Sequence, residues 1–275
     1  MSTAVERQAY SALVKTRLPL CPDRLLIGGL PMEPAQFNLA KMRRRRFGYV
    51  IWGLLCLLIS LVGFWPSYVT PLSRGTYQSP SPTMTLHVIS TALWLVLLVL
   101  QPLLVQFRRL DVHRVLGYFG VLVAVAVVFT GVVVQLDVMG PYAASADVRN
   151  AVVIPFIRLT LLLGFAVCVA WAVVLRKRPE WHKRLIILGT FPLLQSAFDR
   201  MGANVFNLPD YRGVFAGLGH LGLIIMFLTW DRMASGYFHP VTKWGTILIV
   251  LFYMFSPAVA GTDWWRQLAA SLAKR

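Results

Sequence analysis

The chain has 275 residues, 57% hydrophobic and 14% charged, with a formal net charge of +16 and a mean hydropathy of +0.64. Soluble domains carry charge on about a quarter of their residues, so an apolar excess of this size calls for lipid as the solvent. The positive excess does not signal nucleic acid: it lies beside apolar runs, where anionic headgroups and topology account for it, and no base-reading module is present.

Residues 1–46 are of mixed composition and lack the compact apolar core and small-residue cleavage site of a secretory signal. They read as an N-terminal segment ending in the basic run Arg43–Arg46, which lies against headgroups. Cys21, Cys56 and Cys168 are far apart, and no CxxC or CxxCH occurs. Neither a structural zinc site, covalent c-type haem nor a disulfide framework is supported.

A membrane crossing needs about 20 apolar residues. Seven stretches qualify: Phe47–Trp65, Met84–Gln106, Val115–Leu136, Ala151–Leu175, Leu185–Phe206, Val214–Trp230 and Val241–Val259. The predicted fold is therefore all-α, an integral membrane bundle of about seven transmembrane helices over residues 47–260. Basic residues crowd alternate connections. Lys41 and Arg43–Arg46 precede the first span. Arg108, Arg109 and Arg114 follow the second, Arg176, Lys177, Arg178, Lys183 and Arg184 the fourth, and Arg232 and Lys243 the sixth. The opposite connections hold only Arg74, Arg149 and Arg212. The positive-inside rule then puts the N-terminus in the cytoplasm. Residues 261–275, with Trp264 and Trp265, form a short tail expected to lie along the outer interface as an amphipathic helix. Trp65 marks the outer boundary of the first span and Trp181, Trp230 and Trp244 the inner side, whereas Trp52, Trp94 and Trp171 lie deeper and read as packing residues.

The inner connections repeat. Arg109-Leu-Asp-Val-His113-Arg114 matches Arg178-Pro-Glu-Trp-His182-Lys183, each before a helix, and Tyr237-Phe-His239-Pro240 puts a third histidine at a helix start. Asp111 fits an N-cap, and Pro179 and Pro240 fit the first turn, where a missing N–H costs nothing. The run from Arg178 through Asp199-Arg200, the later His239-Pro-Val-Thr-Lys-Trp-Gly245, and His113-Arg114-Val-Leu-Gly117 resemble a family of bacterial polytopic membrane proteins without an assigned activity. The likeness covers roughly Met84 to Gly245. It implies a helical bundle in the bacterial inner membrane and no particular reaction.

Ionisable groups inside spans are costly and are functional candidates by default. His87, Arg158, Gln195, Asp199, Arg200 and His220 all fall in the outer halves of four spans, roughly 5–15 Å deep at about 1.5 Å of rise per residue. Gln195 and Asp199 share a helix face. Asp199 is expected to neutralise Arg158, leaving Arg200 to snorkel, and Pro192 and Pro155 to free carbonyls beside this layer.

Three classes of function fit. The first is a non-catalytic accessory subunit that binds a membrane-protein partner. The second is a b-type haem protein for electron transfer, similar in histidine layout to dihaem membrane cytochromes, with His87 and His220 as the outer pair and His113 and His182 as the inner pair. The third is a transporter or sensor with an outward-facing polar cavity. No phosphate loop, serine elbow or zinc-protease motif points to a soluble-type enzyme.

Overall fold

The computed structural model describes residues 26–27, 30–31, 34–143 and 153–272, with side chains over 47–139 and 153–272. Residues 1–25, 28–29, 32–33 and Arg149 therefore lie outside the described residues, and the expected headgroup contact of Arg43–Arg46 rests on side chains that are not described either. The chain divides into two units, residues 1–42 and 43–275. In the first, β1 (Leu26–Ile27) pairs antiparallel with β2 (Leu30–Pro31), Leu26 opposite Pro31.

The second unit is an all-α bundle. Helix α1 (Pro34–Phe64), which belongs to this unit from Arg43 on, runs into a widened π-helical turn, Trp65–Val69, and the short α2 (Thr70–Ser73). Then come α3 (Pro82–Gln106), α4 (Leu110–Ala143), α5 (Ile154–Val174) and α6 (Pro179–Thr190). A 3₁₀ turn, Phe191–Leu194, leads to α7 (Gln195–Arg200) and a second π turn, Met201–Val205. The chain closes with α8 (Arg212–Ser235), α9 (Pro240–Ala260) and α10 (Asp263–Leu272).

Among the described residues, six helical stretches are long and apolar enough to cross a membrane: Phe47–Ser73, Pro82–Gln106, Leu110–Met139, Ile154–Val174, Arg212–Ser235 and Pro240–Ala260. The remaining predicted span, Leu185–Phe206, is not one continuous helix. Pro192 has no N–H to give the preceding turn, and the chain tightens into 3₁₀ geometry there. It widens again into π geometry after Arg200. This segment nevertheless traverses the bundle. Arg184, near the start of α6, touches Asp231, near the end of α8, at 2.7 Å. Helix α8 rises about 36 Å over its length, so the chain between must travel to the far end before α8 returns. The six long apolar stretches and this interrupted one correspond to the seven stretches expected from the sequence.

Consecutive crossings alternate in direction. One end, the basic end, gathers the connections α3–α4, α5–α6 and α8–α9. At the far end Trp265 of α10 packs on Met139 of α4 and Phe156 of α5. Tail residues Asp263–Leu272 are thus helical with Trp265 and Ala269 buried and Trp264 exposed. The core is aromatic. Trp52 meets Phe227 at 5.0 Å and Phe191 at 6.0 Å, and Trp94 meets Phe165 at 5.0 Å. Trp94 Nε1 donates to Thr190 Oγ1 at 3.1 Å, which satisfies its one buried donor. Small residues let helices approach: a Cβ on Gly63 of α1 would collide with the Ala197 carbonyl of α7. The outer surface is apolar, with Ile51, Leu58, Val115, Leu122, Phe129, Leu218 and Met254 all exposed. Water would not tolerate so continuous a patch, but lipid does. Trp171 is part of that surface at 56% exposure rather than a packing residue, because its face of α5 has no neighbouring helix against it.

Candidate functional site

At the far end the interrupted helix brings polar groups into the bundle. Gln195 opens α7, Asp199 and Arg200 close it, and all three are half-buried. The expected Arg158–Asp199 clamp is not formed: among the described residues Asp199 makes no ion pair. Instead Asp199 lies near enough to Tyr253 of α9 to act on it electrostatically. Arg200 does not reach outward alone; its guanidinium stacks over Phe64 at 5.0 Å and Tyr68 at 5.4 Å, a cation–π clamp onto the π turn after α1. Arg158 is half-buried on α5, in the turn after Pro155. Pro155 falls in the first turn of α5 as described.

His220 is the most enclosed member, 1% exposed on α8. Its Nδ1 lies 2.8 Å from the Tyr253 hydroxyl, the two rings 4.6 Å apart. Its Nε2 is buried and, among the described residues, has no hydrogen-bond partner. A buried polar atom left without a partner is rare and costs roughly 1–3 kcal/mol. Asp199, Tyr253 and His220 thus step from the interrupted helix to the buried imidazole.

His87 has separate surroundings. Its Nδ1 lies 3.0 Å from Thr130 Oγ1 of α4, and Thr130 donates its own proton to the Ala126 carbonyl at 2.6 Å. Nδ1–H of His87 is therefore the donor and Nε2 holds the lone pair. A Cβ on Gly131 would sit 3.1 Å from His87 Cε1, so the glycine makes room for the ring. A bis-histidine haem needs two Nε2 atoms facing across one slot. Among the described residues the hydrogen bond of His87 is to α4, and the hydrogen bond and ring contact of His220 are to α9.

At the basic end the histidines separate by role. His239 is the N-cap of α9, its Nδ1 accepting from Val241 N at 3.2 Å. Burial first, and the Arg184 charge second, lower its pKa, which keeps Nδ1 an acceptor. His182 donates from Nδ1 to the Ala172 carbonyl at 2.9 Å and ties α6 to α5. His113 is close enough to His182 for their charges to interact, and its Nδ1 is buried without a partner. Pro179 and Pro240 sit in first turns as expected. Asp111 does not cap: it lies inside the first turn of α4, and its only ion pair is an exposed 3.8 Å contact with Arg109.

The strongest polar cluster involves residues that the charge count treats as mere topology. Arg184 and Asp231 are buried, 3% and 2% exposed. Arg184 Nε and Nη2 donate to the Asp231 carboxylate at 2.7–3.1 Å, Nη2 also to Ser235 Oγ at 2.7 Å, and Nη1 to Glu180 Oε2 at 2.6 Å and its carbonyl at 2.8 Å. Thr242 Oγ1 donates to Asp231 Oδ2 at 2.6 Å. The guanidinium ties α6 to α8, and the Asp231 carboxylate ties α8 to α9 through Thr242. Burial alone would raise the Glu180 pKa. Hydrogen bonds from Lys183 and Arg184, with their charges, outweigh it and hold the carboxyl at about 2. Two sequence signals were available: an aspartate beside Arg232 at the end of a long apolar run, and the i, i+4 spacings Glu180/Arg184 and Asp231/Ser235.

Among the described residues no group of three or more His, Cys, Asp or Glu side chains is placed to hold a metal ion. Comparison with protein-family models, with curated proteins and with solved structures returns no match. Fold and polar layers together define an α-helical, multi-pass membrane-type bundle.

Proposed function

We propose that this chain is a non-catalytic, multi-pass protein of the bacterial inner membrane with its N-terminus in the cytoplasm, working as a transporter or sensor through the polar site at the far end. The observation that carries the reading is the buried, partnerless Nε2 of His220, held through Tyr253 beside a helix that breaks where Gln195, Asp199 and Arg200 enter. Interrupted helices at membrane depth are tolerated where they are buried in protein or line a wet cavity, and ionisable residues there mark ligand or proton paths. Helix breaks also put unsatisfied backbone groups next to a ligand. The basic connections supply the orientation. An accessory subunit that only docks a partner has no use for such a site, and its co-purification with that partner is indifferent to His220→Gln. The haem alternative predicts a Soret band in protein made with haem supplied.

The test is accessibility. Asp199→Cys and Gln195→Cys, in right-side-out vesicles, should react with a membrane-impermeant maleimide added outside, above the labelling of the parent chain. Labelling only after the inner face is opened overturns the orientation. No labelling from either side overturns the wet site.

A further inference from the structure

The basic end contains a cavity of about 310 Å³ that the far-end site does not use, lined by Tyr49, Glu180, Lys183, Trp230, Ser235 and Tyr237 beside the Arg184–Asp231 pair. That volume is at the lower end of small-ligand pockets. The charges around it are matched: Glu180 is engaged by Lys183 at 2.6 Å and by Arg184, and Asp231 by Arg184, Ser235 and Thr242. Every oxygen of those two carboxylates already accepts a hydrogen bond, and both negative charges have a cationic partner. The unspent groups are donors. Among the described residues the Tyr49 hydroxyl, which is buried, has no hydrogen-bond partner. Lys183 uses one of its three N–H donors on Glu180, its ammonium poised 4.9 Å from the Tyr49 ring centre. Arg176, Lys177 and Arg178 precede α6 and Arg232 follows Asp231, so the surrounding field is positive.

We infer that this cavity is a phosphate-binding site that takes the headgroup of a phospholipid from the adjoining leaflet, with Tyr49 Oη and Lys183 Nζ donating to the phosphate oxygens. One orphan hydroxyl, the N–H donors that Lys183 does not spend on Glu180 and a basic rim favour an acceptor-rich anion. At headgroup depth the abundant group of that kind is a lipid phosphate. Trp230, packed edge-on to Tyr49 at 5.2 Å, supplies an amphipathic wall of the type found at that depth. Which leaflet is meant rests on the orientation proposed above; the phosphate chemistry does not.

The experiment uses the full chain in mild detergent, stripped of lipid, titrated by native mass spectrometry with dioleoyl phosphatidylglycerol and, in a separate arm, with inorganic phosphate. Tyr49→Phe removes one oxygen and Lys183→Gln one charge. Each should weaken lipid binding roughly tenfold, while His220→Gln at the far end leaves it unchanged. Tyr49-dependent binding of inorganic phosphate with none of lipid keeps the phosphate site and reassigns its source to the free anion. A parent chain that binds neither probe, or variants that bind both as the parent does, overturns the site without touching the far-end reading.

Discussion

Replacing Asp231 with asparagine should destabilise the bundle more than any other single exchange at the basic end. The side chain keeps its shape, so packing is unchanged, but the Arg184 guanidinium loses the carboxylate that accepts from both Nε and Nη2. With Arg184 only 3% exposed, water cannot replace that partner, and Glu180 is left as its sole counter-charge, itself 57% exposed and shared with Lys183. Breaking a buried pair by removing one partner costs about 3–5 kcal/mol. At roughly 2–4 °C per kcal/mol for a chain of this size, the melting temperature in detergent should fall by on the order of 10 °C. The double variant Arg184→Met/Asp231→Leu removes both charges and should recover most of that loss, because no uncompensated charge stays buried. Melting is read by size-exclusion recovery after heating. An Asp231→Asn protein that melts with the parent, or a double variant worse than the single, refutes the reasoning.

Two further outcomes follow from the same geometry. Gly63→Ala pushes a methyl into the Ala197 carbonyl and should cost about 1–3 kcal/mol, whereas Gly164→Ala meets nothing within 4 Å and should be neutral or gain up to about 1 kcal/mol of helix propensity; equal melting temperatures would show that α1 and α7 are not in close contact. Glu180 has a folded pKa of about 2 against an ordinary 4.5. Its contribution is therefore present above pH 4.5 and lost as the pH falls towards 2. Being half-exposed, it is modest. The stability gap between the parent and Glu180→Gln should be open at pH 6 and close progressively below pH 4.5, and a gap that widens on acidification contradicts the sign.

Much of the far-end layer could be read from residue type and depth, since both depend on position along a span alone. Its partners could not. Asp199 comes within electrostatic reach of Tyr253, and Arg200 stacks onto Phe64 and Tyr68, because each residue advances the helix by about 100° and its neighbours come from distant helices. His239 illustrates the opposite case: its place before Pro240 marked a helix start, and it caps that helix.

The chain by itself determined that it is a membrane-type all-α bundle, because hydropathy over about 20 residues is a local sum that folding does not alter. It also announced the break at Pro192, where a missing N–H acts within one turn. Tertiary structure alone decided that Arg184 is a buried tie rather than a headgroup charge, that Trp171 faces outward, and that Tyr49 closes a cavity with residues more than a hundred positions away. Burial of a polar side chain is a property of the helices around it, and those helices come from distant parts of the sequence.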